Sequence, residues 1–96
     1  MYKKFIITDS GVLRFGVVYQ HYELLERGED CPYGGGLWEY DAVRGAVLLY
    51  GRSFAFGTPC VEQVKVVDWE SIGIAPCPVF HLPHWPDVKM LVPVVY

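Results

Sequence analysis

Ninety-six residues with a net charge of −3, 52% hydrophobic, 16% aromatic and 20% charged, lie far from the disordered regime and predict one domain over residues 1–96 with its own core. The eight basic residues, Lys3, Lys4, Arg14, Arg27, Arg44, Arg52, Lys65 and Lys89, are scattered and form no stripe for a duplex backbone, which argues against nucleic acid as a partner. No apolar run reaches the length of a bilayer crossing, so the chain reads as soluble and cytoplasmic with no membrane partner.

In chain order, Lys4 to Thr8 is short, apolar and β-branched; Asp9-Ser10-Gly11 supplies turn chemistry, and Val12 to Phe15 resumes an extended pattern, which predicts an opening hairpin. From Val17 to Arg27 the period changes to a helical one. Val17, Val18, His21, Tyr22, Leu24 and Leu25 share one face and Gln20, Glu23 and Glu26 the other, with Arg27 in the last turn and Gly28 as C-cap. Leu37 to Asp41 and Ala46 to Tyr50 flank Ala42-Val43-Arg44-Gly45 and predict a second hairpin, whose returning strand is apolar on both faces and therefore central. Pro59 to Asp68 reads equally as a second helix, with Pro59 in its first turn, or as a valine-rich strand. Beyond Trp69 the chain is proline-rich and irregular until Lys89 to Tyr96, a last strand bent or edged at Pro93. These elements predict an α+β fold, a mixed and mostly antiparallel sheet with one clear helix at 17–27.

Cys31, Cys60 and Cys77 are odd in number and include no Cys-x-x-Cys pair, so they read as free thiols of a reducing compartment. Cys77, His81 and His84 with Cys31 or Cys60 supply zinc-type donors. Their spacing is not that of a recognised zinc site, and Pro78, Pro83 and Pro86 interrupt it, so neither metal nor cofactor is expected.

Two segments stand out chemically: Gly34-Gly35-Gly36, and the run from Tyr50 to Gly57. A glycine triplet either lets backbone N–H groups converge on an anion or makes a tight turn. His21, with Val17, Val18 and Leu25 near it, is either a core-edge imidazole or a functional base. Ser53 either serves the site or bonds backbone in a bulged strand, and no third group points to a serine hydrolase. The segment His81-Leu82-Pro83-His84-Trp85-Pro86 is a rigid loop closing over the sheet, or a cap on the pocket. The aromatic and proline-rich C-terminal half also offers a partner surface.

The series Gly34-Gly35-Gly36, thirteen residues, then Tyr50-Gly51-x-Ser53-x-Ala55-x-Gly57 resembles the Janus/Ocnus family, to which the cofactor-independent protein-histidine phosphatases belong. The opening Asp9-Ser10-Gly11-Val12 turn with Arg14 after it is similar to the family's first strands. The resemblance implies a phosphatase-like fold and a phosphate pocket with Gly34, Gly35 and Gly36 as one wall, Ser53 and Ala55 as the other, and Arg14 as the counterpart of a strand lysine. It implies His21 as the catalytic residue and a phosphorylated protein or small phosphorylated ligand as partner. Leu37 stands where the phosphatases place an arginine, with Arg52 as a substitute, and the segment from His21 to Gly34 is shorter than theirs. Two functions follow: a phosphohistidine phosphatase-like enzyme, or a non-catalytic binding protein of the same fold.

Overall fold

The computed structural model describes residues 1–96, the side chain of Val88 excepted. Strand β1 (Tyr2–Ile7) alternates: Phe5 and Ile7 enter one apolar cluster and Ile6 a second, which puts Lys4 on the face of Ile6. The turn after it closes through Thr8, whose backbone N–H donates to the Val12 carbonyl at 2.9 Å while its Oγ1 accepts from Val12 N at 3.1 Å. Gly11 there has φ of +81°, and the chain returns antiparallel as β2 (Val12–Val18). Strand β3 (Gly35–Asp41) pairs antiparallel with the other edge of β1, and β4 (Ala46–Tyr50) pairs antiparallel with β3. Three short strands extend the sheet. β5 (Val66–Val67) runs parallel to β2, β6 (Val79–His81) parallel to β4, and β7 (Val92–Pro93) antiparallel to β6. The strand order is β5-β2-β1-β3-β4-β6-β7 in a curled half-barrel.

The expected helix over 17–27 does not form, and the α+β class with it is corrected to a mostly β architecture. Val17 and Val18 instead complete β2, facing Lys3 and Tyr2 of β1. Only His21–Leu24 is helical, as a single 3-10 turn, and Leu25 is already extended at φ −74° and ψ 133°. The physical reason is competition. An isolated eleven-residue helix is marginal in water, whereas two β-branched valines extend an existing ladder and add its hydrogen bonds. Gly28, read as a C-cap, still adopts φ of +84°, but in a turn with no helix before it. Among the described residues the α-helix is confined to α1 (Trp69–Ile72), capped by Asp68 accepting from Ser71 N at 3.3 Å and stopped by Gly73 at φ +73°. The open segment Pro59 to Asp68 divides into a 3-10 turn at Val61–Gln63 and β5. The expected C-terminal strand over Lys89 to Tyr96 is reduced to β7, after a 3-10 turn at Val88–Met90.

The two faces of the sheet have different covers. Phe5, Ile7, Leu13, Phe15, Trp38, Val47 and Leu49 form the larger core, closed by Val64, Val67, Trp69 and Ile72 from the segment after β4. On the other face Ile6 packs with Leu24 and Cys31 of the 19–33 connection. That connection is tied down by Arg14, whose guanidinium meets Glu29, Glu26 at 3.2 Å, Asp68 at 3.2 Å and the Leu24 carbonyl at 3.2 Å. Among the described residues no helix is long and apolar enough to cross a membrane.

Candidate functional site

On the face of Ile6, beyond the end of the smaller core, a cavity of about 250 Å³ opens among three parts of the chain. Lys4 from β1 and Leu37 from β3 are register partners and so share that face. His21 descends from the 3-10 turn, and Arg52 to Ala55 form the turn after β4. Tyr2 and Phe54 stand at the rim.

His21 is 7% exposed, and its Nε2 lies 2.8 Å from the carbonyl oxygen of Gly36. A carbonyl only accepts, so Nε2 carries the proton and the Nδ1 lone pair of the neutral ring is left available. No buried side-chain nitrogen or oxygen among the described residues lacks a partner, and Nδ1 makes no hydrogen bond, which leaves it reachable by solvent. Burial pushes the imidazole pKa below its ordinary 6.5; the Gly36 carbonyl opposes that shift and the Lys4 charge adds to it. The ring is therefore neutral at pH 7.

The ring can lie this close to β3 because Gly35 has no side chain. A Cβ there would sit 2.4 Å from the Phe5 carbonyl oxygen and 3.1 Å from His21 Cδ2. Gly36 is equally enclosed, with Tyr50 O 2.5 Å from the position of a Cβ. Gly34, at φ +78°, turns the chain into β3 and its carbonyl accepts from Ile7 N at 3.0 Å. None of Gly34, Gly35 and Gly36 lines the cavity. Gly35 and Gly36 are strand residues facing neighbouring backbone, so the close-approach role of glycine is fulfilled inside the protein.

Ser53, 1% exposed, builds the opposite wall. Its N–H donates to Gly57 O at 3.2 Å, its carbonyl accepts from Gly57 N at 2.8 Å, and its Oγ accepts from Phe56 N at 3.1 Å. The hydroxyl proton is then free to donate to a guest. Within the same turn the N–H groups of Phe54 and Ala55 make no hydrogen bond to the described residues.

The charge around the cavity is one-sided. Lys4 Nζ reaches the Tyr19 carbonyl, and neither it nor Arg52 is ion-paired among the described residues. Among the described residues no carboxylate lines the cavity. Arg14, by contrast, lies outside it, and its side chain is held by Glu26, Glu29 and Asp68.

The structure thus gathers His21, Arg52, Ser53 and Ala55 and separates Arg14 and the three glycines from them. Lys4 and Tyr2 were missed by the sequence reading. The signal for Lys4 is present: it stands two residues before Ile6, opposite in phase to Phe5 and Ile7. The His81–Pro86 segment does not cap the cavity; its Trp85 stacks on Tyr50, ring centroids 4.1 Å apart, and with His81 and His84 it lines a separate groove on which Arg52 also borders. Among the described residues no group of three or more His, Cys, Asp and Glu is placed to hold a metal ion. Comparison with protein-family models, curated proteins and solved structures finds no match to this chain.

Proposed function

We propose that the cavity binds a phosphoryl group and that the protein acts as a phosphohistidine phosphatase-like enzyme, with His21 as the nucleophile. The observation that carries this reading is the meeting of a neutral imidazole, two unpaired cations and a serine hydroxyl around one cavity with no carboxylate. The likeness of Tyr50–Gly57, which supplies Ser53 and Ala55 to the cavity, to the Janus/Ocnus phosphatases supports the same choice of anion; the glycine triplet, which lies outside the cavity, does not bear on it.

The chemistry follows from the donors. The Nδ1 lone pair of His21 forms a bond to phosphorus as the P–N bond of the substrate breaks, and the electron pair leaves with the substrate nitrogen, which takes a proton from water. The Gly36 carbonyl accepts from Nε2–H throughout and stabilises the positive charge that the ring acquires. Lys4, Arg52, Ser53 Oγ–H and the Phe54 and Ala55 amides oppose the charge on the phosphoryl oxygens. Water then attacks phosphorus, the Nδ1–P bond breaks with its electron pair returning to Nδ1, and the proton lost by the attacking water neutralises the hydroxide left by the first step, so that phosphate and the neutral Nε2–H imidazole are released.

Leu37 favours a second reading. An apolar side chain forms the wall between Lys4 and Arg52, which suits a site that binds an anion without turning it over. Phosphate titration followed by amide and imidazole NMR, beside a phosphohistidine-peptide turnover assay, separates the two. Saturable shifts at Arg52 to Ala55 and His21, with turnover lost in His21→Ala, are expected for the enzyme. Saturable shifts without turnover identify the binding protein, and unperturbed spectra overturn both.

A further inference from the structure

The groove between the turn after β4 and the loop after β6 shares only Arg52 with the cavity, and its lining selects a guest of its own. It spans about 640 Å³, within the range of small-molecule sites. Its loop wall is fixed. Buried Leu82 donates its N–H to the Leu49 carbonyl at 2.8 Å, and the Asp87 N–H closes a turn onto the His84 carbonyl at 2.6 Å. Within that turn Trp85 lays its ring on Tyr50, centroids 4.1 Å apart and planes at 19°, yet remains 51% exposed. The indole is therefore held in place with apolar surface still in water, which a planar guest would cover. Charge selects the rest of the guest. Among the described residues Arg52 is the sole lysine or arginine lining the groove, no carboxylate lines it, and Arg52 has no ion pair. His81 adds a half-buried imidazole, neutral at pH 7 because burial lowers its pKa below the ordinary 6.5 against the opposing charge of Glu62, and Thr58 adds a hydroxyl. One guanidinium fork matches one carboxylate through paired hydrogen bonds. A phosphate monoester, close to a dianion at pH 7, is better matched by Lys4 and Arg52 together in the cavity.

We propose that this groove binds a carboxylate carried on a planar aromatic framework, the ring stacked on Trp85 and the carboxylate paired with Arg52. The site stands independently of the phosphoryl reading, because Trp85, His81, His84 and Thr58 lie outside the cavity.

Three probes test this by NMR titration of the intact protein: cinnamate, acetate, which lacks the ring, and cinnamyl alcohol, which lacks the charge. The indole N–H resonance of Trp85 is assigned with Trp85→Phe. Cinnamate is expected to give saturable shifts at Thr58, His81, His84 and the Trp85 indole, and to bind at least about tenfold tighter than either other probe. Arg52→Gln should lower its affinity to that of cinnamyl alcohol, and Trp85→Ala to that of acetate. Both positions are exposed, and the amide spectrum checks that each variant keeps the fold. Cinnamate binding no tighter than acetate or than cinnamyl alcohol overturns the proposal, as does an advantage that survives Arg52→Gln. Shifts centred on Tyr2, Lys4 and His21 place the probe in the cavity and overturn it too, and so does the absence of binding.

Discussion

His21 donates its Nε2–H to the carbonyl oxygen of Gly36 across 2.8 Å, from a ring that rests beside the unsubstituted Cα of Gly35. One hydrogen bond therefore decides both the tautomer and the aim of Nδ1, and the missing side chain makes the contact possible.

The tautomer and its pH range follow from this contact. Long-range 15N correlation spectra should show Nε2 protonated and Nδ1 bare at pH 7, with a midpoint below 6.5 because burial disfavours the imidazolium. The folded state then binds fewer protons than the unfolded state, so the linked stability is full above pH 6.5 and is lost as pH falls from 6.5 through the folded midpoint. His81, whose pKa is also lowered chiefly by burial, contributes in the same direction. Urea denaturation from pH 8 to 5 should show declining stability, with a shallower slope in His21→Asn; a flat profile contradicts the assignment.

Gly35→Ala should be destabilising by about 1–3 kcal/mol, because the added methyl meets backbone oxygen that no rotamer change can move. Equilibrium urea unfolding measures the loss. The His21 imidazole resonances should shift in the same variant, since the ring lies 3.1 Å from the new atom. Gly28→Ala is the contrast: its Cβ meets nothing within 4 Å, so any cost there comes from φ of +84° alone.

Arg14→Met removes the cation that joins β2 to the 19–33 connection and to Asp68, and leaves Glu29, 18% exposed, without its partner. A loss of about 2–3 kcal/mol is expected, smaller than for a fully buried pair because Glu26 is 70% exposed. The Arg14 guanidinium holds the Glu29 carboxyl below its ordinary value of 4.5. The stability from this pair is therefore full above 4.5 and is lost as pH falls through the folded value, and Arg14→Met should weaken that part of the acid transition. Phosphate affinity at Ser53 should be retained, which distinguishes Arg14 from the cations of the cavity.

Lys4→Met and Arg52→Met should each weaken inorganic phosphate binding by about tenfold, the scale of one charge-assisted hydrogen bond. Salt should weaken the wild-type interaction and act less on either variant. Unchanged affinity in both would remove the electrostatic basis of the site.

The alternating residues around Phe5 and the paired apolar runs about Gly45 made the two hairpins legible in the sequence, because period two and turn chemistry are local properties. His21, Ser53 and Arg52 were singled out in the sequence through the family resemblance of their segments, and the structure brings the three to one cavity. The true course of segment 17–27 was not legible, since its apolar residues satisfy helical spacing while Val17 and Val18 are claimed by β1 through pairing with Lys3 and Tyr2, fourteen and sixteen positions earlier. Whether Arg14 or Lys4 faces the cavity was a matter of three-dimensional placement. Both lie on the face of Ile6, but Arg14 falls beneath the 19–33 connection and meets three carboxylates, while Lys4 falls beyond its edge, opposite Leu37. Local periodicity determined which stretches of this protein extend and where they turn. The order of the strands and the folding of one connection over half a face, which only the tertiary structure decides, determined which charges are neutralised and which remain open to a ligand.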